Sequence, residues 1–382
     1  MHTVLGLDRL DEFDGLFKNR KIGLITNYSG VNSRLEVNVD LFLQKGYQIQ
    51  RIFTPEHGMF GKGAGEAVDN DYYPQSHIPM ISLFGAKLRP TEEELSDLDL
   101  LVYDIQDVGL RYYTYIYTLT YCMEAAAHLS IPFVVLDRPN PLGNRIVAGG
   151  GILPEYRSFI GDYDLPVRYG LTPGEVGNYF IRYKNLQMDY QVISLLNYDR
   201  DTYFSDQGAV WNIPSPALPD FDSTICYSGG CFAGATTLSE GRGSSKPFQQ
   251  YGAPFIRMDE FYNELKQVIR EEDVIFRKRA FVPGERKYQG QVCFGVEFAP
   301  LDKKADFIPV ILKMLRTAAK LYPEQFGYTQ GEKNVRHMRY LTGDARTEEY
   351  LDGRITLEEL LGEWKEYSTR FEQQTLDIRI YR

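Results

Sequence analysis

Acidic side chains and one histidine follow a strand-like run in the N-terminal half, where they are placed for proton transfer. The segment TPEHGMFGKGAGEAVDN (54–70) carries Glu56 and His57 directly after the apolar run, and Glu66 further along the loop. The glycines between them allow backbone to approach a ligand closely. We expect these three residues to serve acid–base chemistry. The alternative for the same segment is a glycine-rich turn with a capping carboxylate.

A second segment, DIQDVGLRYYTYIYTL (104–119), combines acids, an amide, an arginine and several tyrosines. Aromatic rings beside carboxylates suit a carbohydrate, which offers apolar ring faces and hydroxyl groups, and an arginine can bind an anion through two parallel contacts. Asp107 is the catalytic candidate here. The candidates for substrate binding are Asp104, Gln106, Arg111 and Tyr113. Packing of the tyrosines between a helix and a sheet is the structural alternative, and it is favoured for Tyr117 and Tyr121.

Two further segments complete the set of candidates. LDRPNPLG (136–143) ends an apolar run with charged and amide side chains, and a structural role and a ligand-binding role are equally open for it. LSEGRGSSKPFQ (238–249) carries an acid and two cations between glycines, which would suit an anion clamp. Glu240 is added to the catalytic candidates. The added binding candidates are Asp137, Arg138, Asn140 and Arg242.

Several other chemistries lack their motifs. The glycines at 61, 63 and 65 do not complete a dinucleotide fingerprint, because position 66 is Glu, and GRGSSK (241–246) is not a phosphate-binding loop. HExxH and GxSxG are both missing, and the spacing of Cys226 and Cys231 does not fit a zinc site. The sequence therefore predicts carboxylate chemistry without a cofactor or a metal.

The elements that must position these residues alternate along the first 140 residues. Strands are predicted at 21–27, 48–54, 99–105 and 131–136, and helices at 37–46, 90–98 and 115–129. Continuous apolar strands separated by helices indicate a parallel sheet covered on both faces. Ligands bind at the carboxyl ends of such strands. If the strands are neighbours, the candidate side chains therefore converge on one edge.

The rest of the chain predicts a second, smaller unit. Residues 141–255 are rich in Gly and Pro, with one helix predicted at 173–184. From about 256, helices are predicted at 259–270, 307–323 and 356–374, with a strand at 291–299. We therefore divide the chain into an α/β catalytic domain (1–155), a loop-rich connecting and cleft-forming segment (156–255) and a C-terminal α/β domain (256–382).

Composition limits the partners. The 382 residues include 42 Lys and Arg against 52 Asp and Glu, a formal charge of -10, which argues against a nucleic-acid binder. No apolar run reaches the ~20 residues that span a bilayer. The N-terminus shows none of the features of a signal peptide, so we expect a cytoplasmic protein, or an exported one if the sequence was trimmed. The oligomeric state is open.

Six blocks of this sequence resemble those of the exo-β-N-acetylmuramidases, a bacterial family once described as a domain of unknown function. The resemblance runs from about Val4 to Tyr381, and its most distinctive blocks are TPEHGMFG, which AGE follows, and YDIQDVGLRYYTY. The others are GLITNYSGV, VVLDRPNPLG, SEGRGSSKPFQ and CFGVEF.

The resemblance implies a Rossmann-like domain, a smaller C-terminal α/β domain and an active cleft between them. It implies removal of terminal N-acetylmuramic acid from the non-reducing ends of peptidoglycan fragments. It matches Glu56 to the catalytic glutamate of the family. It also matches Glu66 to the glutamate of the AGE block and Arg242 to the loop arginine of the GRG block. The lactyl carboxylate of such a substrate needs a cation, for which Arg111, Arg138 and Arg242 are candidates. The nucleophile is open between a second carboxylate and the 2-acetamido group of the sugar. A sugar-binding protein without catalysis and a nucleotide-dependent enzyme are the alternative functions.

Overall fold

The computed structural model describes residues 2–62, 69–74, 76–270 and 274–381. Across these residues the chain forms ten strands in two sheets. The strands are β1 (Lys21–Thr26), β2 (Gln48–Thr54), β3 (Asp71–Tyr72), β4 (Pro79–Ser82), β5 (Leu100–Asp104), β6 (Phe133–Leu136), β7 (Tyr190–Ile193), β8 (Gln250–Ala253), β9 (Val274–Phe281) and β10 (Cys293–Pro300).

Eleven α-helices pack on the sheets within the same described ranges. Their bounds are α1 (Asp14–Phe17), α2 (Asn38–Gln44), α3 (Glu92–Leu95), α4 (Tyr115–His128), α5 (Pro173–Lys184), α6 (Phe221–Gly234), α7 (Met258–Val268), α8 (Phe307–Leu321), α9 (His337–Thr342), α10 (Arg346–Leu351) and α11 (Leu357–Gln374). Two of the long helices begin at a capping box. In α5, Thr172 and Glu175 cap each other's backbone N–H groups, and Thr356 and Glu359 do the same for α11.

The large sheet has the strand order β3-β4-β2-β1-β5-β6-β7, and every pair except β3–β4 is parallel. Its central strands are largely apolar because helices cover both faces; β5 and β6 are buried at every residue. From β1 the strand order runs one way to β2 and β4, and the chain then crosses to the other side of β1 for β5, β6 and β7. At such a switch point, a parallel α/β sheet has a crevice at the carboxyl ends of its strands. The predicted Rossmann-like α/β domain is confirmed.

The small sheet has the order β8-β10-β9 and is antiparallel. Helices α6 and α7 pack against this sheet, and α8 packs against both of these helices. The sequence predicts β10 but not β9, which is mostly exposed or half-buried and carries three consecutive charged residues. The predicted second, smaller unit is confirmed.

The segment 156–255, predicted as a connection, supplies elements to both sheets. Strand β7 extends the large sheet beside β6, and β8 pairs with β10 in the small one. Helix α6 is not predicted from the sequence, because its glycines interrupt the apolar periodicity of a helix. A Cβ atom at Gly229 would lie 2.3 Å from the carbonyl oxygen of Phe307, so this glycine lets α6 lie directly against α8. The boundaries at 155 and 255 stay predictions.

One hydrophobic core joins the two units. A single cluster of buried side chains runs from Ile25 and Tyr103 of the large sheet to Phe298 of the small sheet and Phe371 of α11. A second cluster fills the opposite face of the large sheet, beneath α2. In the described ranges, no helix combines the length and the apolar character that crossing a membrane requires.

Candidate active site

Glu56 lies two residues beyond the carboxyl end of β2, at the edge of the sheet where the parallel strands end. Its side chain is half-buried, and Oε2 accepts a hydrogen bond of 2.8 Å from the hydroxyl of Thr114. Thr114 is the last residue of the loop between β5 and α4. Two different strand ends thus orient this carboxyl group.

Tyrosines at the start of α4 form the wall beside Glu56. The rings of Tyr113 and Tyr115 meet edge to face, with centroids 4.7 Å apart. The Tyr115 hydroxyl donates to the carbonyl oxygen of Pro214 at 2.7 Å, whereas the buried hydroxyl of Tyr113 has no hydrogen-bond partner among the described residues. Tyr113, a predicted binding residue, therefore lies in the site.

His57 is buried in a tight turn next to Glu56, with a φ of 71°. Its Nδ1 lies 2.7 Å from the carbonyl oxygen of Lys62, and its Nε2 lies 3.1 Å from the hydroxyl oxygen of Ser215. Burial lowers the pKa of His57, although neighbouring Glu56 opposes that shift. The neutral ring thus donates to Lys62 and accepts from Ser215. Both nitrogens are engaged within the protein and hold the turn, and the predicted role of His57 in proton transfer stays a prediction.

Cations from the C-terminal unit face Glu56. Arg242 stands in the loop between α6 and β8, where its Nε donates to Glu240 at 3.0 Å and its guanidinium lies 4.7 Å from the ring centroid of Phe248. Lys287 forms the second ion pair of Glu240, at 3.1 Å. Burial by itself would raise the pKa of Glu240, but Lys287 and Arg242 bring it down to about 2. Glu240 is therefore an ionised anchor for Arg242.

Two glycine-containing loops hold these cations together. The amides of Gly284 and Glu285 both donate to the carbonyl oxygen of Arg242, at 3.2 and 3.3 Å. Gly243 has a φ of 70°, and a Cβ atom there would lie 2.7 Å from the amide nitrogen of Glu285. The GRG motif therefore needs its second glycine so that the β9–β10 loop, which carries Arg286, can pack against the Arg242 loop.

These groups enclose a cavity of about 210 Å³ between the two units. Glu56 is the only carboxylate on its wall within the described ranges of the chain. Sequence analysis found four residues of the wall, namely Glu56, His57, Tyr113 and Arg242. Those that it missed include Tyr112, Thr114, Ser215, Tyr227, Phe248, Arg286 and His337. Arg286 and His337 come from parts of the chain without a motif, so only the tertiary fold reveals them.

Arg111, predicted to bind substrate, is a structural residue instead. The residue is 0% exposed, and its guanidinium donates to the carbonyl oxygens of Gly150, Leu165 and Leu341. Leu341 belongs to α9 and the other two acceptors belong to the N-terminal half, so Arg111 bridges the two units. A guanidinium sealed in this way is not accessible to a substrate.

Asp107 and Glu240, predicted as catalytic, both lie outside the wall of this cavity. Asp107 is buried, and its Oδ2 accepts from the Gly109 amide and from the Tyr169 hydroxyl. Burial raises the pKa of Asp107 to about 6. Its carboxyl group closes the turn after β5, so its role is local structure. Both carboxyl groups have partners within the protein and lie away from this cavity, so the structure gives their predicted catalytic roles no support.

Three more predicted residues are buried in internal networks. Asp104 pairs with Arg138 at 2.6 Å, and Asp137 accepts from Thr172 and Tyr381 at 2.8 and 2.6 Å. Asn140 accepts from the amide of Leu142 and donates to the carbonyl oxygen of Leu171, which fixes the turn after β6.

Arg138 and Gln106 line a different cavity at the same edge of the sheet. Glu66 lies outside the described residues, so its predicted role stays a prediction.

The parallel sheet, the carboxylate at its carboxyl edge and the arginines on the same cavity wall define a two-unit α/β protein whose site combines one described carboxylate with cations. The family model described as "Exo-beta-N-acetylmuramidase NamZ, N-terminal" matches residues 22–222, and its C-terminal counterpart matches residues 225–381. The chain belongs to the exo-β-N-acetylmuramidase NamZ family, as the sequence blocks predicted.

Individual proteins agree with this assignment. The chain is 38% identical over 327 residues to the peptidoglycan beta-N-acetylmuramidase NamZ of Bacillus subtilis (strain 168), a match that covers 85% of this chain and 79% of that protein. It is also similar to the crystal structures of two DUF1343 family proteins from Bacteroides fragilis NCTC 9343. Their TM-scores are 0.90 and 0.78 at 27% and 25% identity, and each comparison covers 100% of this chain and 99% of the other.

Proposed function

We propose that this chain hydrolyses the glycosidic bond of terminal N-acetylmuramic acid at the non-reducing ends of peptidoglycan fragments. Membership of the exo-β-N-acetylmuramidase family makes it a glycoside hydrolase, and the Bacillus subtilis relative is a peptidoglycan β-N-acetylmuramidase. The observation that carries the proposal is that Glu56, the one carboxylate on the described part of the wall, shares a cavity of about 210 Å³ with Arg242 and Arg286. One sugar ring with an anionic substituent fits that arrangement.

Glu56 acts as the general acid. In its protonated form it gives its proton to the glycosidic oxygen as the bond to the sugar breaks, and the carboxylate that remains accepts a proton from the attacking water. The hydrogen bond from Thr114 to Oε2 fixes the carboxyl plane. This contact leaves Oε1 as the oxygen that meets the leaving group.

The nucleophile comes from the substrate. Glu56 is the only described carboxylate at the cavity, and the Cys231 thiol on the same wall stays protonated at neutral pH because burial raises its pKa to about 11. The oxygen of the 2-acetamido group then attacks the anomeric carbon, as in substrate-assisted glycosidases. Glu66, which lies outside the described residues, is the competing candidate for a protein nucleophile.

Arg242 and Arg286 bind the lactyl carboxylate of N-acetylmuramic acid. Arg242 is nearly buried, and its anchor Glu240 keeps it in place, so an anionic group replaces water at a preformed cationic site. N-acetylglucosamine has no lactyl group and cannot use this contact. The same pair of arginines therefore sets the specificity for muramic acid.

A pair of chromogenic substrates tests the function. The N-acetyl-β-muramide should be cleaved, and the matching N-acetyl-β-glucosaminide should not. Arg242→Ala should raise KM for the muramide at least tenfold, a loss of about 1.4 kcal/mol in binding. Equal cleavage of both substrates would contradict the carboxylate contact, and cleavage of neither would contradict the proposed function.

Replacing the acid tests the mechanism. Glu56→Gln should lower kcat by about 10²–10⁴-fold, because the amide cannot protonate the leaving oxygen. KM and the circular dichroism spectrum should change little. The matched control is Glu366→Gln on the exposed surface of α11, which should leave both kinetic constants unchanged. Full activity of Glu56→Gln would exclude Glu56 as the acid.

A further inference from the structure

A larger cavity, of about 620 Å³, opens at the same carboxyl edge of the large sheet, entirely within the N-terminal unit. It lies at the switch point of the strand order, since its wall includes residues after β1, β5 and β6. Parallel α/β sheets bind ligands at this place. The volume is in the range of small-molecule sites. The acid of the proposed reaction, Glu56, is not on its wall.

Buried polar side chains line the inner end of this cavity. Gln106 is 8% exposed, and its Nε2 donates to the carbonyl oxygens of Asp107 and Pro139 at 2.8 and 2.9 Å. No described residue donates to its Oε1. Arg138 is 2% exposed and donates through Nε to Asp104 and through Nη2 to Val31. Its Nη1 has no acceptor among the described residues. Gln106 Oε1 and Arg138 Nη1 can therefore accept from and donate to a ligand in this cavity.

The charge at the inner end of this cavity is balanced within the protein, which favours a neutral group there. The Arg138 guanidinium is already balanced by the buried Asp104 carboxylate at 2.6 Å, so it offers a hydrogen bond rather than a net positive charge. At the rim, Asp8 accepts from Ser33, and Asp11 pairs with Lys45. These acids are therefore occupied within the protein.

Aromatic side chains form the outer wall. Trp211 is half-buried, and its ring meets Phe204 edge to face at 4.9 Å. The indole Nε1 donates to the carbonyl oxygen of Leu218, which fixes the ring plane. Planar amide and guanidinium groups inside, with an aromatic face outside, match a pyranose ring, which presents hydroxyl edges and an apolar face.

We propose that this cavity is a second saccharide site, for a neutral N-acetylated hexosamine. The polar pair Gln106 and Arg138 binds the hydroxyl or acetamido groups, and Trp211 contacts the ring. The choice of N-acetylglucosamine as the sugar rests on the proposed function, since this sugar alternates with N-acetylmuramic acid in peptidoglycan. The segment that carries Phe204 and Trp211 continues into the Glu56 cavity at Ser215, so one loop borders both sites.

Titration with free N-acetylglucosamine tests this site. The chain has two tryptophans, and Trp364 is buried in α11, so a saturable change in fluorescence reports on Trp211. Calorimetry on the same samples measures binding independently of that reporter. Trp211→Ala and Gln106→Met should each weaken binding about tenfold or more, about 1.4 kcal/mol. Glu56→Gln and Arg242→Ala should bind the sugar as the unmodified protein does.

Two results would overturn the second site. One is the absence of saturable binding to the unmodified protein. The other is binding that Glu56→Gln or Arg242→Ala abolishes while Trp211→Ala preserves it, because the sugar then sits only in the Glu56 cavity. Turnover of the chromogenic muramide shows that the Trp211→Ala and Gln106→Met variants are folded, with circular dichroism as the check if no muramide is cleaved. If the muramide is not cleaved, calorimetry still shows whether N-acetylglucosamine binds to this second site.

Discussion

Glu240 and Arg242 lie two positions apart in the chain and have different tasks. The acid is 4% exposed at its side chain, with two cationic partners, whereas the arginine reaches the cavity wall. An ionised anchor holds the guanidinium still, which lowers the entropy lost when an anion binds. The pair therefore works as one binding element.

Glu240→Gln should loosen this element. We expect a rise in KM for the muramide of about tenfold with kcat nearly unchanged, and a loss of roughly 3 kcal/mol in the free energy of unfolding at neutral pH, from the lowered pKa of Glu240. A lowered pKa contributes stability above the unfolded value, near 4.3, that disappears as the pH falls toward about 2. Denaturation at several pH values should therefore show the gap between variant and unmodified protein narrowing below about pH 4. A gap independent of pH would contradict the ionised anchor.

At the scale of elements, helix α6 determines how closely the C-terminal unit packs. Gly229 lies where a side chain would meet the backbone of α8, and the C-terminal end of α6 is held by Lys287, whose Nζ donates to the carbonyl oxygens of Ala233 and Thr236 at 2.9 Å. Lys287 also pairs with Glu240 and is adjacent to Arg286. The position of α6 is therefore coupled to the cationic side of the active site.

Two glycine substitutions separate packing from helix propensity. Gly229→Ala should destabilise the protein by about 1–3 kcal/mol, because its methyl group forces α6 and α8 apart. Gly362→Ala, in α11, meets no atom within 4 Å and should stabilise it by up to about 1 kcal/mol. Urea denaturation of both variants measures the difference. Equal effects of the same sign would show that the α6–α8 contact is not tight.

At the scale of the whole molecule, the two units are joined by buried contacts. Their hydrophobic core is continuous, and Arg111 joins them through three carbonyl groups. The active cavity lies between the units, so a shared core keeps Glu56 at a constant distance from the arginines that face it. We therefore expect one cooperative unfolding transition.

Arg111→Met should preserve catalysis and lower stability. It leaves three buried carbonyl oxygens without donors, a cost of about 1–3 kcal/mol for each that stays unpaired. A loss of roughly 3 kcal/mol lowers the Tm of a chain of this length by about 4 °C. Scanning calorimetry measures the Tm and the number of transitions. An unchanged Tm with a strongly raised KM would restore Arg111 as a substrate-binding residue.

Local sequence patterns were sufficient to predict many of the strands and helices of this protein. The strands β1, β2, β5 and β6 and the long helices other than α6 follow from apolar runs and their periodicity, and the strand ends indicated the edge where Glu56 lies. Those features depend on neighbouring residues, and the rules that govern them are local. Distinctive blocks such as TPEHGMFG also identified the family.

Only the tertiary structure decided which charged residues reach the cavity. Arg111, Arg138 and Arg242 are equivalent as arginines in a sequence. In the structure, Arg111 is buried among internal acceptors, Arg138 lines the second cavity and Arg242 lines the active cavity. The role of Arg286 at the cavity could not be predicted, because no motif lies near it in the sequence. Burial and pairing depend on residues tens to hundreds of positions away, and the free energy of a charge depends on those partners. For that reason chemistry at a strand end can be predicted locally, but the partner of each charge cannot.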